Sequence, residues 1–253
     1  MIEIVRLIKQ LANRRVLDDV SLKINKGETK VIIGRSGCGK SVLLKHIVGI
    51  MKPDGGEIFI DKQEITHLRN KALDAVRMKI SLVFQGSALF DSLNVAENVA
   101  FGLTEHTIIS RQELLEKAEE ALCLVGLSGI GGMMPSDLSG GMKKRVALAR
   151  AICLKPEIIL YDEPTTGLDP ITADSINDLI KELHDKLHVT SIVVTHDMKS
   201  AYKVADSIAM LYRGKIIAEG TPQDIEHTTH PVVNQFINGL AQGPITETID
   251  NYK

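Results

Sequence analysis

Four short hydrophobic runs along the chain predict buried β-strands. The runs occupy residues 31–33, 80–84, 158–160 and 191–194, and most of their residues are β-branched. Continuous apolar runs of this length are typical of parallel strands that other elements cover on both faces. The pattern therefore predicts a parallel sheet in the interior of the molecule.

Amphipathic patterns between the strands predict helices. Ser110 and Glu113 have the spacing of a capping box, and Gly126 ends the helix that they begin. The apolar residues of this helix share one face: Leu114, Ala118, Ala121, Leu122 and Val125. A second helix follows Pro170, and its apolar face consists of Ile176, Leu179, Ile180, Leu183 and Leu187. Strands that alternate with helices predict an α/β fold.

The order of these elements divides the chain into a core, an insert and a tail. Residues 1–85 and 156–221 form the predicted α/β core, and residues 86–155 form an inserted helical subdomain. A glycine-centred turn at residues 212–215 joins two short strands, which adds a small antiparallel β element. Two interpretations of residues 222–253 stay open: a solvated, partly disordered end, or an ordered contact in a dimer.

Composition and charge exclude several classes of protein. A net charge of -2 provides no bulk attraction to nucleic acid, so we expect no nucleic-acid partner. No apolar run approaches the roughly 18 residues of a membrane-spanning helix, and the first residues lack the pattern of a signal peptide. The three cysteines have no metal-ligand spacing, which favours a reducing cytoplasm. If the protein works at a membrane, we expect another chain to hold it there.

A phosphate-binding loop follows the first predicted strand. Residues 34–41 read G-R-S-G-C-G-K-S and match the pattern G-x-x-x-x-G-K-S. Backbone N–H groups of such a loop converge on phosphate oxygens, and the N-terminus of the next helix adds partial positive charge. We expect Lys40 to reach the β- and γ-phosphates and the Ser41 hydroxyl to bind Mg²⁺. The predicted nucleotide-binding residues of this loop are Gly34, Arg35, Ser36, Gly37, Cys38, Gly39, Lys40, Ser41 and Val42.

The loop also contains a cysteine. Residues 40–51 have a helical pattern, so Cys38 stands just before the predicted N-terminus of a helix. The partial positive charge of such a terminus stabilises a thiolate. We therefore expect a lowered pKa for the Cys38 thiol, although its variable position in the motif argues against a catalytic role.

Two adjacent acids follow the third hydrophobic run. Asp162 ends that predicted strand, where its carboxylate can face a magnesium ion, and Glu163 comes next. A carboxylate beside a metal-bound phosphate is well placed to orient or deprotonate an attacking water. The sequence therefore predicts Asp162 as a metal ligand and Glu163 as a catalytic base for hydrolysis of a nucleoside triphosphate.

The motifs occur in an order that resembles the ATPase subunits of ABC transporters, over nearly the whole chain. Besides the loop and the two acids, the matching motifs are Gln85, residues 138–141 (L-S-G-G), residues 167–169 and His196. The resemblance implies a P-loop NTPase core of RecA-like, ABC type that binds ATP and Mg²⁺. It implies that Gln85 senses Mg²⁺ and the attacking water, and that His196 contacts the γ-phosphate. The implied metal-binding residues are Ser41, Gln85 and Asp162. The implied catalytic residues are Glu163, His196 and Gln85.

The same resemblance implies a homodimer in which two chains sandwich two ATP molecules head to tail. Ser139, Gly140 and Gly141 open a helix whose N-terminus would cap the γ-phosphate held by the opposite subunit. Residues 167–169 resemble the segment that crosses this dimer interface.

The chain departs from the family at two positions. Most of these ATPases stack an aromatic ring on adenine upstream of the phosphate loop, whereas the first aromatic residue of this chain is Phe59. Leu11 or Arg15 is expected to pack there instead. The second departure is Met142, where the signature usually has glutamine.

The form L-S-G-G-M narrows the resemblance to the Mla-type ATPases. Residues 86–90, 143–145, 169–172 and 235–244 are also similar to that group. The group implies phospholipid transport at the cytoplasmic face of the inner membrane, with a permease, an MCE-domain protein and an accessory subunit. It also implies that the tail reaches across to the sister ATPase.

Two other functions remain as alternatives. One is an ATPase subunit of an importer for another solute. The other is a soluble ABC protein that acts on DNA or ribosomes, which the single cassette, the compact insert and the absence of metal-spaced cysteines disfavour. For the transporter, Leu89 and Phe90 are the predicted contact with the permease, although burial in the core would explain both residues equally well.

Overall fold

The computed structural model describes residues 1–250 and contains two β-sheets. The strands are β1 (Ile2–Leu11), β2 (Arg14–Ile24), β3 (Thr29–Ile33), β4 (Gly55–Ile60), β5 (Gln63–Glu64), β6 (Ile80–Val83), β7 (Ile158–Asp162), β8 (Thr190–Thr195), β9 (Ser207–Tyr212) and β10 (Lys215–Gly220). One sheet has the strand order β10-β9-β3-β8-β7-β6, in which β10 is antiparallel to β9 and the other strands are parallel. The four predicted strands are confirmed as β3, β6, β7 and β8, and the predicted turn joins β9 to β10.

The parallel sheet separates two hydrophobic cores, as its fully apolar strands require. Alternate residues of a strand point to opposite faces of the sheet. Val31 and Ile33 contribute to the core on one side, and Ile32 contributes to the core on the other. Tyr161 and Leu160 of β7 divide in the same way. Because both faces of the sheet are covered, apolar and polar residues need not alternate along these strands. Their continuous apolar runs therefore predict buried strands.

The second sheet was not predicted from the sequence. Its antiparallel strands lie in the order β2-β1-β4-β5 and cover one core. Register shifts interrupt the pairing of β1 with both neighbours, and Arg6 within β1 has a positive φ of 47°. Such bulges move later residues to the other face of the strand. The alternation of apolar and polar residues is therefore broken, and the sequence pattern is obscured.

The helices flank the parallel sheet and fill the segment between β6 and β7. They are α1 (Lys40–Ile47), α2 (Asn70–Arg77), α3 (Val95–His106), α4 (Arg111–Leu124), α5 (Gly140–Cys153), α6 (Pro170–Leu187), α7 (Met198–Val204), α8 (Pro222–Glu226), α9 (Pro231–Ile237) and α10 (Pro244–Asp250), with a 3₁₀ turn at Pro135–Asp137. Within residues 1–250, none of them is long and apolar enough to cross a membrane.

Two helix predictions need correction. The helix expected over residues 40–51 ends at Ile47, because the chain turns at Gly49 with a φ of +73°. At the start of α4, Ser110 accepts a hydrogen bond from the Glu113 N–H at 3.2 Å, as predicted. The Glu113 carboxylate, however, lies 3.8 Å from the Lys117 ammonium, and the reciprocal bond of a capping box is not formed.

The tail is ordered and packed, so a solvated end is the wrong interpretation for residues 222–247. Ile225 and Val233 are buried in the core that contains Val31 and Ile33, and α8 packs against β9 and β10. Gln235 is buried between α9 and α10, where its amide donates to Leu240 O at 3.1 Å and accepts from Ile245 N at 2.7 Å. One side chain thus ties the last two helices together.

Candidate nucleotide site

The phosphate loop joins β3 to α1 in a backbone conformation that needs glycine. Gly39 has a φ of +113°, and a Cβ there would lie 3.0 Å from Val16 O. A Cβ on Gly34 would lie 2.4 Å from Leu211 O, closer than real Cβ contacts come. The loop therefore packs closely against neighbouring backbone, and the Cys38 N–H donates to Arg35 O at 3.2 Å within it.

Lys40 lies at the centre of the loop. Its ammonium donates to Gly34 O at 2.7 Å and to Arg35 O at 3.3 Å, and it lies 3.2 Å from the Glu163 carboxylate. The side chain is buried. A buried ammonium held by two carbonyls and one carboxylate is a fixed positive charge, which suits it to an anionic ligand.

Ser41 and Asp162 present a pair of oxygen ligands beside the loop. The Ser41 hydroxyl donates to the Asp162 carboxylate at 2.8 Å. Burial raises the pKa of Asp162, the bond from Ser41 lowers it, and the neighbouring charge of Glu163 raises it again. A hydroxyl and a carboxylate in contact are hard oxygen donors of the kind that bind Mg²⁺.

Glu163 connects the loop to His196. Its backbone has a positive φ of 50°, a conformation that costs about 1–3 kcal/mol for a non-glycine residue, and its N–H donates to Val194 O at 2.9 Å. One carboxylate oxygen faces Lys40, and the other lies 2.9 Å from His196 Nδ1. Thr166 Oγ1 donates to the same oxygen as His196, at 3.4 Å. Strained backbone that directs a side chain into a site is typical of functional residues.

A cavity of about 320 Å³ brings most of the predicted site residues together. Gln85 lies two residues after the end of β6 and lines this cavity. The lining residues are Leu11, Val16, Ser36, Gly37, Gly39, Lys40, Ser41, Val42, Gln85, Glu163 and His196. Of the two residues expected to replace the missing aromatic ring, Leu11 lines the cavity, whereas Arg15 pairs with Asp18 at 2.8 Å. Val16, which sequence reasoning missed, occupies the wall beside Leu11.

The expected lowered pKa of Cys38 is wrong. The thiol is partly buried beside the loop, and burial raises its pKa above the usual value, more than the Lys40 charge lowers it. Gly34, Arg35 and Cys38 belong to the loop but do not line the cavity. Their contribution is the loop conformation.

The L-S-G-G segment does not join this cavity within one chain. Ser139 is the N-cap of α5 and accepts from Met142 N at 3.3 Å, and Ser139 and Gly140 are exposed. The N-terminus of α5 is therefore exposed, and its residues are not among those that line the cavity. A second cavity, of about 450 Å³, shares His196 with the first and is bounded by Gly167, Leu168 and the start of α6.

Comparison with known proteins identifies the family. The family model described as ABC transporter matches residues 17–166. The chain is 41% identical over 245 residues to the intermembrane phospholipid transport system ATP-binding protein MlaF of Haemophilus influenzae, covering 97% of this chain and 93% of that protein. It is also 41% identical over 244 residues to the probable ribonucleotide transport ATP-binding protein mkl of Mycobacterium tuberculosis H37Rv, covering 96% of this chain and 68% of that protein.

Solved structures agree with the sequence comparison. The dimeric, post-hydrolysis structure of the ATP-binding cassette MJ0796 bound to ADP and Pi superposes with a TM-score of 0.80 at 34% identity, covering 88% of this chain and 99% of that one. The P-loop NTPase core of ABC type that the resemblance implied is thereby confirmed. On its fold, its phosphate loop and its similarity to these proteins along nearly all of its length, the chain belongs to the ABC transporter family.

Proposed function

We propose that this chain is the ATP-hydrolysing subunit of an ABC transporter that moves phospholipids between membranes of a bacterial envelope. The observation that carries the hydrolytic part is the contact chain Lys40–Glu163–His196 at the mouth of the phosphate loop, with distances of 3.2 and 2.9 Å. Similarity to MlaF along 97% of the chain supports the phospholipid substrate. In this proposal, residues 1–85 and 156–221 bind the nucleotide.

The chain's own residues divide the work of hydrolysis. Lys40 and the loop N–H groups hold the β- and γ-phosphates. Leu11 and Val16 form an apolar wall against which the adenine ring of the nucleotide packs. The Ser41 hydroxyl and the Asp162 carboxylate fit a magnesium ion, with Gln85 as a further oxygen ligand. Bound Mg²⁺ would neutralise charge that develops on the phosphates.

Glu163 is the proposed base. Its carboxylate is held by His196 Nδ1 and by Thr166, so it has little freedom to turn away from the cavity. The carboxylate orients the attacking water and accepts its proton, while His196, on the rim, contacts the γ-phosphate. Loss of a positioned base typically costs about 10²–10⁴ in rate.

The site is completed by a second copy of the chain. Ser139, Gly140 and Gly141 do not line their own chain's cavity, and the partial positive charge at the N-terminus of α5 suits a γ-phosphate. The similar cassette MJ0796 is dimeric in its structures. We therefore propose a head-to-tail homodimer, to which the tail, residues 222–253, adds a contact; residues 251–253 lie outside the part of the chain that the structure describes.

The transporter requires membrane partners. We propose an integral permease, an MCE-domain protein and an accessory subunit, with this ATPase bound at the cytoplasmic face of the inner membrane. Phe90 is 43% exposed and contacts the Phe101 ring, with centroids 4.6 Å apart. Leu89 packs against the core, so Phe90 rather than Leu89 is the proposed permease contact.

Co-purification tests the proposed partners. Tagged Glu163→Gln protein, purified with ATP from detergent-solubilised membranes, should carry a permease, an MCE-domain protein and bound phospholipid, all identified by mass spectrometry. Phe90→Asp in the same background should lose these chains yet keep ATP binding, and Phe84→Asp, at the other exposed phenylalanine, is the matched control.

The other outcomes discriminate the alternatives. A permease with a solute-binding protein would retain the ATPase and reject phospholipid, in favour of another solute such as the ribonucleotide named for mkl. Recovery of ribosomes or DNA in place of membrane proteins would reject the transporter.

A further inference from the structure

Helix α5 binds the loop that carries Gln85. The Lys144 ammonium donates to Gln85 O, and the Arg150 guanidinium donates to Ser87 O and to Ala88 O, both at 2.7 Å. We call residues 85–88 the glutamine loop. Three of its four carbonyls are thus held by two cationic side chains of a single helix. In the sequence, Lys144 entered only within residues 143–145, as part of the resemblance to the Mla-type group, and Arg150 was not singled out.

Lys144 is an unusual residue for its environment. Its exposed fraction is 6%, although neighbouring Lys143 is half-buried. Burial lowers the pKa of Lys144 below its usual value, more than the nearby Glu163 carboxylate raises it. Removing an ammonium from water is costly, so a purely structural position would be better served by an apolar side chain. The hydrogen bond to Gln85 O and the field of Glu163 are the two interactions that offset this cost.

The same helix begins at the L-S-G-G segment. Lys144 follows Ser139 by five residues, which is roughly 7.5 Å along a helix axis. One short rigid element therefore joins the N-terminus that would meet the partner's nucleotide to the backbone of Gln85. The proposed Phe90 contact follows the glutamine loop directly.

We propose that Lys144 is a positioning residue, which fixes the Gln85 backbone to α5 so that the Gln85 side chain points into the nucleotide cavity. Arg150 holds the rest of the glutamine loop to the same helix. A displacement of α5, caused by contact with the second copy of the chain, would then move Gln85 with it. This inference rests on the proposed role of Gln85 in catalysis.

A pair of substitutions at Lys144 measures the effect. Lys144→Met keeps the length of the side chain and removes the donor, and we expect kcat for ATP to fall about 10-fold, the scale of a lost outer-shell contact. KM for ATP should change less than about twofold, because the phosphate loop is untouched. Lys144→Arg should restore most of kcat, and Lys143→Met is the matched control. If Lys144→Met does not fold, Lys144→Leu, which also removes the donor to Gln85 O, replaces it with the same expected loss of kcat.

A double-mutant cycle with Gln85→Ala separates positioning from general destabilisation. If Lys144 acts through the Gln85 side chain, Lys144→Met should cost less than about twofold in the Gln85→Ala background. An equal loss in both backgrounds would overturn the inference. A fully active Gln85→Ala protein would instead reject the proposed role of Gln85, and an impaired Gln85→Ala with a fully active Lys144→Met would reject the inference alone.

Discussion

Single side chains in the nucleotide site are paired in a way that a triphosphate would change. The Glu163 carboxylate contacts Lys40 on one side and His196 on the other, at 3.2 and 2.9 Å. Phosphate oxygens compete with Glu163 for the Lys40 ammonium, since both are anionic. We expect nucleotide binding to leave His196 and Thr166 as the partners that hold Glu163. Nucleotide binding would thus exchange the Lys40 contact of Glu163 for a phosphate contact of Lys40 and leave the contacts with His196 and Thr166 in place.

His46 predicts a pH dependence of stability that is separate from catalysis. It lies in α1, its exposed fraction is 1%, and its Nδ1 lies 2.7 Å from Val42 O. Burial lowers its pKa below the usual 6.5, more than the bond to Val42 raises it. Above pH 6.5 both folded and unfolded states hold a neutral imidazole. Below that pH the unfolded state binds the proton first, so the free energy of unfolding falls as the pH falls through the window below 6.5.

Unfolding titrations of matched histidine variants check this prediction. His46 contributes at most about 1.4 kcal/mol per pH unit within that window. His46→Gln should flatten the decline between about pH 6.5 and 5, measured by denaturant unfolding of the nucleotide-free protein. His227 makes the same contact to a carbonyl four residues earlier, at 2.9 Å, but is exposed. His227→Gln should leave the decline unchanged, and an equal effect of both variants would contradict the burial argument.

The sequence predicts site residues better where a motif fixes both spacing and chemistry. The phosphate loop, Asp162 and Glu163 could be predicted from a motif and the strand beside it, whereas Gln85 and His196 were implied by the resemblance to ABC ATPases. Val16 could not be predicted, because an apolar wall for the adenine ring can be formed by several residue types. Lys144 could not, because its burial depends on how α5 packs against the glutamine loop, which is a tertiary contact.

At the scale of elements, predictability follows the way each element is buried. The strands β3, β6, β7 and β8 are covered on both faces, and their continuous apolar runs are unambiguous. The strands of the antiparallel sheet alternate only between bulges, and α8 and α9 are too short to show a full amphipathic period. Order in the tail therefore comes from tertiary packing and not from local propensity.

The tail predicts a measurable contribution to stability. Val233 in α9 is 0% exposed and lies in the core that contains Val31 and Ile33, whereas its neighbour Val232 is half-buried. Val233→Ala removes buried methyl groups and should lower the free energy of unfolding by about 1–3 kcal/mol. Val232→Ala should lower it by less. Equal and negligible effects of the two variants in denaturant titrations would show that the tail does not pack as described.

For the whole molecule, the positions of the nucleotide cavity and the L-S-G-G segment explain why one chain does not form a complete nucleotide site. Five residues of the phosphate loop line the cavity together with Glu163 and His196, whereas exposed Ser139 and Gly140, at the start of α5, do not line it. The sequence motifs predict both the nucleotide cavity and the L-S-G-G segment. Their separation becomes evident only in the fold, because it depends on the placement of α5 relative to the parallel sheet.

The most direct test of the account compares ATP turnover with ATP binding in Glu163→Gln. Nucleotide binding should be retained, because the phosphate loop and Lys40 are intact. Turnover should fall by about 10²–10⁴, since the base is removed. Glu157→Gln, in which an exposed acid is changed just before the same strand, β7, is the control and should turn over at the wild-type rate. Turnover of Glu163→Gln within a few-fold of wild type, with ATP bound, would contradict Glu163 as the base and with it the central claim.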